Sequence, residues 1–139
     1  MKLTDDVITV FNKRLVAATK DYTWIPTTIE GVRWFATQAE TVDPRGGLKM
    51  ARKVVVRIPM DARIGGGKKY AAPRAYATAE NVSGLFTLNA GSVIVKGHVE
   101  GGSWTPDTLH AAFDDVTNVL AVTDNRGAPL EPHFRVVGD

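Results

Sequence analysis

Residues 123–139, TDNRGAPLEPHFRVVGD, bring together several side chains that could do chemistry. Carboxylates, a histidine and arginines are the groups that general acid–base catalysis uses. Here they are Asp124, Arg126, Glu131, His133 and Arg135. The same stretch has an Asp-Asn-Arg-Gly turn signal after an apolar run, followed by two prolines around a loop. That pattern indicates the last hairpin of a β domain, so we expect a structural role and no catalytic group.

Metal chemistry is not expected from the histidines. His98, His110 and His133 fall on different predicted elements, and the chain has no cysteine. Zinc sites need His and Cys ligands clustered at short spacings. We therefore expect no metal and no other cofactor.

The glycine run at 65–67 invites comparison with the phosphate-binding loop of nucleotide-dependent proteins. That motif needs a glycine five places before its Gly-Lys pair and a serine or threonine directly after the pair. Ala62 and Lys69 occupy those two places. No serine lies in a Gly-x-Ser-x-Gly nucleophile motif either. The sequence therefore predicts a protein that is not an enzyme.

Positive charge is concentrated in one segment of the chain. Residues 1–44 hold 5 basic and 6 acidic side chains (−1), whereas residues 45–74 hold 9 and 1 (+8). Residues 75–139 hold 3 and 8 (−5), so the whole chain carries only +2. A basic block beside an acidic block predicts charged partners or contacts between copies.

Short β-type runs between turn signals must position these side chains. Seven candidate strands cover 7–11, 22–29, 32–38, 53–58, 92–97, 118–123 and 133–137. The first run also fits helical spacing, but we favour a strand. The pattern predicts a mainly β chain: a small barrel or sandwich of about six or seven antiparallel strands. At 139 residues the chain has the size of one domain, residues 1–139.

One short helix is predicted after residue 104. Thr105 can cap it, Pro106 suits its first position, and Asp107 complements the helix dipole. Its apolar stripe consists of Leu109, Ala112, Phe113 and Val116. The helix is expected to cover one side or end of the sheet.

Residues 60–84, MDARIGGGKKYAAPRAYATAENVSG, are predicted to form a long, basic and mobile loop. They contain few large aliphatic residues, three consecutive glycines and a proline. Loops longer than about 12–15 residues inside a compact domain are usually functional or disordered. We expect this segment to project from the β body.

No membrane segment is expected. No apolar run approaches the roughly 18 residues needed to cross a bilayer. The N-terminal MKLTDDVITV also lacks the features of a secretory signal, so synthesis in a cytoplasm is expected.

Several stretches together resemble a family of small minor structural proteins of tailed bacteriophages. They are YTWIPTTIEGVRW (22–34), VVVRIP (54–59), GSVIVKGHV (91–99), DNRG (124–127) and PHFRVVG (132–138). Their order and spacing are similar to that family across most of the chain, and residues 60–84 match least. In size and β architecture these proteins are similar to the head-closure, or stopper, subunits of siphophage necks.

The resemblance implies a virion structural protein of the head-tail neck. Such a subunit forms a homo-oligomeric ring around the DNA channel, with twelvefold symmetry as one option. Its partners would be the portal or adaptor and tail proteins, together with packaged DNA held through non-specific phosphate contacts. Its location would be the virion neck, after assembly in the bacterial host cytoplasm. A tail-completion or tail-terminator subunit is an alternative within the same class.

Two roles follow for the basic residues in such a ring. In the first, loop cations line or plug the DNA channel, where copies converge into a positive collar. The candidates are Arg63, Lys68, Lys69 and Arg74. In the second, cations meet the acidic 100–124 region of a neighbouring subunit. The candidates for this subunit interface are Arg45, Lys49, Arg52 and Lys53.

An OB-like module that binds single-stranded nucleic acid is the main alternative from another class. A small barrel with one helix and a basic loop would share this pattern, and aromatic side chains could stack on bases. The candidates are Trp24, Trp34, Phe35, Tyr70 and Tyr76. Both tryptophans lie in alternating strand patterns and are expected in the core, which leaves Tyr70 and Tyr76 as the preferred stacking residues.

Overall fold

The computed structural model describes residues 6–16, 21–42, 48–100 and 103–139, with the backbone alone for Val16, 38–42 and 48–52. The strands are β1 (Asp6–Val16), β2 (Asp21–Val42), β3 (Leu48–Pro59), β4 (Arg63–Ile64), β5 (Lys69–Tyr70), β6 (Leu85–Phe86), β7 (Val93–Lys96), β8 (Val116–Asn125) and β9 (His133–Gly138). The helices are α1 (Pro73–Thr78) and α2 (Pro106–Ala112), with a 3-10 turn at Gly65–Gly67. The predicted mainly β class is confirmed.

Six strands form a closed antiparallel barrel. Their order is β1-β7-β8-β9-β3-β2, and pairing of β2 with β1 closes it. β4 adds to β2 as an extra strand, and β5 and β6 form a separate parallel pair. The predicted barrel of six or seven strands is confirmed, and of the two helices only α2 was predicted.

A single long strand, β2, replaces the two strands predicted at 22–29 and 32–38. Asp6 pairs with Val32 and Val7 pairs with Glu30, so Gly31 is an extra residue in a β-bulge. Its φ of 80° lies in the left-handed region that favours glycine. The bulge lets β2 leave β1 and pair with β3 from Arg33 onward. Gly31 therefore bends one strand around the barrel where the sequence indicated a turn.

Replacement of Gly31 by alanine is expected to destabilise the protein by about 1–2 kcal/mol, because a Cβ is strained at positive φ. Urea unfolding would measure this loss. Gly84→Ala is the matched control, since a Cβ there meets no atom within 4 Å and no positive φ is required. It should change stability by less than about 0.5 kcal/mol. Equal effects of the two substitutions would contradict this account of the bulge.

The barrel interior is filled by side chains that alternate along the strands. Ile8 and Val10 of β1 point inward, as do Val54 and Val56 of β3. Further members of this buried cluster are Ile29, Val32, Trp34, Ile58, Phe86, Leu88, Ile94, Val119, Phe134 and Val136. The cluster draws on all six barrel strands, so the closed barrel encloses a single core.

A second cluster lies between the barrel wall and α2. Phe11, Val93 and Val95 point outward from β1 and β7 and contact Leu109 of α2, which is fully buried. Thr105 caps this helix by accepting a hydrogen bond from the Thr108 N–H, as predicted. β7 is consequently buried on both faces, which explains its unbroken apolar run. None of the helices in the described ranges is long and apolar enough to cross a bilayer.

Residues 60–84 fold along the barrel and do not project from it. They contain β4, the 3-10 turn, β5 and α1, and Tyr76 and Val82 are buried. The Arg14 side chain donates hydrogen bonds to the carbonyls of Tyr76 and Ala79 at the end of α1. The expectation of a projecting loop was wrong because two-residue strands leave no periodicity in the sequence. The mobility of this segment stays a prediction.

Two hairpins extend beyond the barrel at opposite ends of β2. β7 pairs with β1 only at residues 8–11, so residues 12–16 of β1 and 21–25 of β2 continue as a two-stranded ribbon. β9 pairs with β3 only from Val54 onward, so residues 48–53 of β3 continue in a two-stranded ribbon with residues 37–42 of β2. We call the latter the β2–β3 ribbon. Its β3 strand lies in the basic segment 45–74.

Candidate functional site

An apolar cleft opens where β3 ends and β9 begins. Its volume is about 160 Å³. Its lining residues come from β3 and the turn after it, β4, β5, β6, the β8–β9 turn and β9: Ile58, Pro59, Met60, Ala62, Ile64, Lys68, Tyr70, Phe86, Arg126 and Phe134. Segments distant in the sequence thus line one cleft, which we call the aromatic cleft.

Three aromatic rings give the cleft its shape. Parallel pairing of β5 with β6 sets Tyr70 opposite Phe86, and their ring centroids are 5.8 Å apart at an interplanar angle of 71°. Tyr70 also contacts Phe134, with a centroid separation of 4.6 Å. Such edge and tilted arrangements are the favourable ones for aromatic pairs. The rings hold one another in place and leave an apolar surface facing the opening.

Arg126, in the turn between β8 and β9, covers one side of these rings. Its guanidinium carbon lies 5.2 Å from the Tyr70 centroid and 5.0 Å from that of Phe134, within cation–π range. Its Nη2 donates to Asp124 Oδ2 at 2.7 Å, and its Nε also contacts this carboxylate. Hydrogen bonds from the Arg126 side chain, and then from its backbone N–H, lower the pKa of Asp124. The Arg126 charge is therefore already balanced.

Lys68 is the second cation at the cleft, and its surroundings differ. Its Nζ donates to the Pro26 carbonyl at 2.9 Å and to Thr27 Oγ1 at 3.0 Å. In the described part of the chain no carboxylate pairs with this ammonium group. Burial lowers the pKa of Lys68. The cleft thus contains a half-buried positive charge held only by neutral oxygens.

The stability of the protein is expected to rise with pH as Lys68 loses its proton. Because its folded pKa is lowered, the unfolded state binds more protons between that pKa and the ordinary value of 10.5. Stability should therefore increase with pH across this window and decrease as pH falls through it. Urea unfolding at several pH values would measure this effect. The free energy of unfolding should increase with pH in Lys69→Gln, which changes an exposed neighbour and serves as the control. The increase should be absent in Lys68→Gln. Parallel curves for the two variants would refute this assignment.

The closing stretch is the hairpin predicted from its turn residues. β8 pairs with β9, and Asn125 lies opposite His133. His133 Nδ1 is 2.6 Å from the Glu131 carbonyl, and Asn125 Nδ2 is 3.3 Å from Nε2. A ring that donates from Nδ1 and accepts at Nε2 satisfies both contacts. Within the ranges that the structure describes, no three acidic or histidine side chains come together as metal ligands.

Comparison with known proteins gives one match. The model of DUF6751, a family of unknown function, matches residues 3–139. The chain belongs to the DUF6751 family. No curated protein and no solved structure matches it.

The four candidate DNA-channel residues of this DUF6751 protein lie on separate elements. Arg63 of β4 is exposed and pairs with Glu30, their Nε and Oε2 atoms being 3.3 Å apart. Lys69 of β5 and Arg74 of α1 are also exposed. Lys68 differs, because it turns into the aromatic cleft. Three of the four residues are therefore exposed, and Lys69 and Arg74 are the two of these that the structure does not place in an ion pair within its described residues.

The candidate interface residues of the DUF6751 protein fall mainly on the β2–β3 ribbon. Lys49 pairs in register with Thr41, and Arg52 pairs with Gln38, on the part of β3 that β9 does not cover. Lys53, which pairs with Thr37, also lies on this part and is exposed. Arg45 lies outside the described residues. Backbone register thus places three of the four positions along one edge of the protein.

The preferred stacking residues of the OB-like alternative are not free at the surface. Tyr76 is 2% exposed, and burial raises its pKa while Arg14 opposes that shift. Its role as a stacking residue was a wrong prediction, since α1 turns it inward. Tyr70 lies in the aromatic cleft beneath Arg126. The expectation that Trp34 belongs to the core is confirmed, and Trp24 packs against the cluster under α2.

The aromatic cleft of the DUF6751 protein was missed from sequence. Tyr70 and Arg126 were each singled out, but their proximity depends on barrel closure and on β5–β6 pairing. The local signal was an aromatic residue, preceded by two lysines, in a segment of small residues. That signal indicates no particular partner.

Proposed function

We propose that this DUF6751 protein is a structural subunit of tailed-phage virions, located at the head-tail neck as a head-closure or stopper-type connector. It forms a homo-oligomeric ring around the DNA channel and docks on the portal or adaptor and on tail proteins. The motifs that resemble minor phage structural proteins support this proposal, since they fall on the strands of the barrel and its closing hairpin. A tail-completion or tail-terminator subunit would use the same assembly principle.

The observation that carries the proposal is the basic β2–β3 ribbon that extends beyond the barrel. Residues 45–74 carry +8, of which Lys49, Arg52 and Lys53 belong to the ribbon, and residues 75–139 carry −5. In the second region Asp107 and Asp114 are exposed on or just after α2. Two different surfaces of opposite charge favour head-to-tail contacts, and such contacts close into a ring when the rotation between copies permits it.

The DNA contact of the ring is assigned to Arg63, Lys69 and Arg74. Each is exposed, and Arg63 pairs with Glu30, so Lys69 and Arg74 supply the unbalanced charge that repetition around a ring would multiply into a positive surface. Binding through phosphates is sequence-independent and weakens with salt. An isolated subunit would bind oligonucleotides weakly, whereas the OB-like alternative would bind them as a monomer at low salt.

Two triple variants of equal charge change test these assignments. In the ribbon variant, Lys49, Arg52 and Lys53 become glutamine. In the channel variant, Arg63, Lys69 and Arg74 become glutamine. Mass photometry at increasing salt should show weakened assembly for the ribbon variant alone. Particles carrying the channel variant should assemble but retain less DNA. Salt-insensitive assembly would contradict the ribbon contact, and unchanged DNA retention would contradict the channel contact.

Electron microscopy of virions with an antibody against this protein tests the location. Labelling at the neck supports the head-closure role, and labelling at the tail end that meets the neck supports the tail-terminator alternative. Absence of the protein from purified particles would refute the virion assignment.

A further inference from the structure

We propose that the aromatic cleft binds a ligand in which one apolar group, the size of a benzene ring or a leucine side chain, carries a carboxylate. Two sources share this chemistry: a free small carboxylate and the C-terminal residue of a partner chain. The inference does not depend on the proposed neck function, because it rests on the cleft alone.

The size of the cleft sets the apolar part of the ligand. Its volume is about 160 Å³. An engineered apolar cavity of about 150 Å³ holds a benzene molecule. Ile58, Ile64, Phe86 and Phe134 supply apolar walls of the kind that small-molecule sites use. One ring or one branched side chain therefore fits within it.

Lys68 sets the charge of the ligand. Its ammonium group has three donors, and two of them reach Pro26 O and Thr27 Oγ1. Desolvation without a carboxylate partner leaves a charge that an anion would stabilise. Arg126 does not compete for this role, since Asp124 balances its charge. A carboxylate next to the apolar group would meet the remaining Lys68 donor.

Methyl NMR spectroscopy of the full chain tests the site directly. Met60, Ile58 and Ile64 line the cleft, and Ile8 lies in the barrel core as an internal reference. N-acetyl-phenylalanine should shift the cleft methyl signals but leave Ile8 unchanged, with a Kd of roughly 1 mM for so small a ligand. Its C-terminal amide should bind about tenfold more weakly, because a charged hydrogen bond is lost.

Adjacent lysines provide the matched variants. Lys68→Gln should weaken binding of N-acetyl-phenylalanine about tenfold, whereas Lys69→Gln should leave it unchanged. Ala62→Leu, which fills the cleft, should abolish binding while the Ile8 signal keeps its folded position. Equal affinities for the acid and its amide, equal effects of the two lysine variants, or no shifts with the acid would each overturn the proposal.

A peptide distinguishes the two sources of the ligand, a free carboxylate and a chain end. The test compound is the tetrapeptide N-acetyl-Gly-Gly-Ser-Phe with a free carboxylate. Affinity equal to or above that of N-acetyl-phenylalanine supports a chain end as the ligand. Binding of the single residue without the peptide supports a free carboxylate. Failure of both compounds would refute the site and leave the neck assignment untouched, since ring assembly is measured separately.

Discussion

Replacement of Gly138 by alanine is expected to destabilise the protein by about 3 kcal/mol. Gly138 lies between two strands, pairing with Val54 of β3 and Val119 of β8. A Cβ at this position would lie 2.0 Å from Thr117 Oγ1 and 2.7 Å from the Asn118 carbonyl oxygen. Both separations are far below a carbon–oxygen contact distance. Because β9 is held on both sides, it can move away only by breaking a ladder that closes the barrel.

The matched control for this effect is Gly127→Ala in the turn of the same hairpin. A Cβ at Gly127 meets no atom within 4 Å, so stability should change by less than about 0.5 kcal/mol. Thr117→Ala in the Gly138→Ala background removes the nearer oxygen but leaves Asn118 O, so it should restore only part of the loss. Urea unfolding of the three variants and of the unchanged protein measures these differences. A Gly138→Ala variant as stable as Gly127→Ala would contradict the close approach.

Replacement of Asn12 by alanine is expected to cost about 3 kcal/mol. Asn12 is 1% exposed, and its Nδ2 donates to the Thr87 carbonyl at 2.7 Å. Its Oδ1 accepts from the Thr87 N–H at 3.1 Å. The side chain thus acts as a strand partner for the segment between β6 and β7. Alanine would leave both Thr87 backbone groups buried without a partner, which is the costly way to lose a hydrogen bond.

Asn81→Ala is the control for this second prediction. Asn81 is exposed, and its Oδ1 accepts only the local Ser83 N–H. Its replacement should change stability by less than about 0.5 kcal/mol. Hydrogen exchange gives an independent measurement, because the Thr87 amide should exchange much faster in Asn12→Ala. An unchanged Thr87 exchange rate would show that Asn12 does not hold this segment.

Local sequence patterns were sufficient to predict the barrel class and α2. Alternating apolar residues in β1, β3 and β9 define an inner face, and Thr105 with Pro106 marks a helix start. Local sequence patterns could not predict that β2 is one strand. Glycine indicates a turn and a bulge equally well, and only pairing of Asp6 with Val32 distinguishes the two. The decision depends on a partner strand distant in the sequence.

The aromatic cleft depends even more on long-range structure. Tyr70 reaches Phe134 only because β5 lies beside β6 and β9 closes the barrel against β3. Lys68 was grouped with the exposed cations because sequence shows its charge and not its hydrogen bonds to Pro26 and Thr27. Net charge by segment can be read from residue types, whereas the direction in which one lysine points requires the folded chain.

The β2–β3 ribbon bears on the solubility of the protein. Among the described strands, none pairs with the outer sides of residues 33–42 and 48–53, although the Trp34 N–H donates to Asp6 Oδ2 at 2.9 Å. Exposed strand edges recruit other extended chains and promote fibrous aggregation. Lysines and arginines oppose that pairing, because two identical ribbons would bring like charges together. The cations of the ribbon would then oppose aggregation of the protein, and their removal would lower the concentration at which it precipitates.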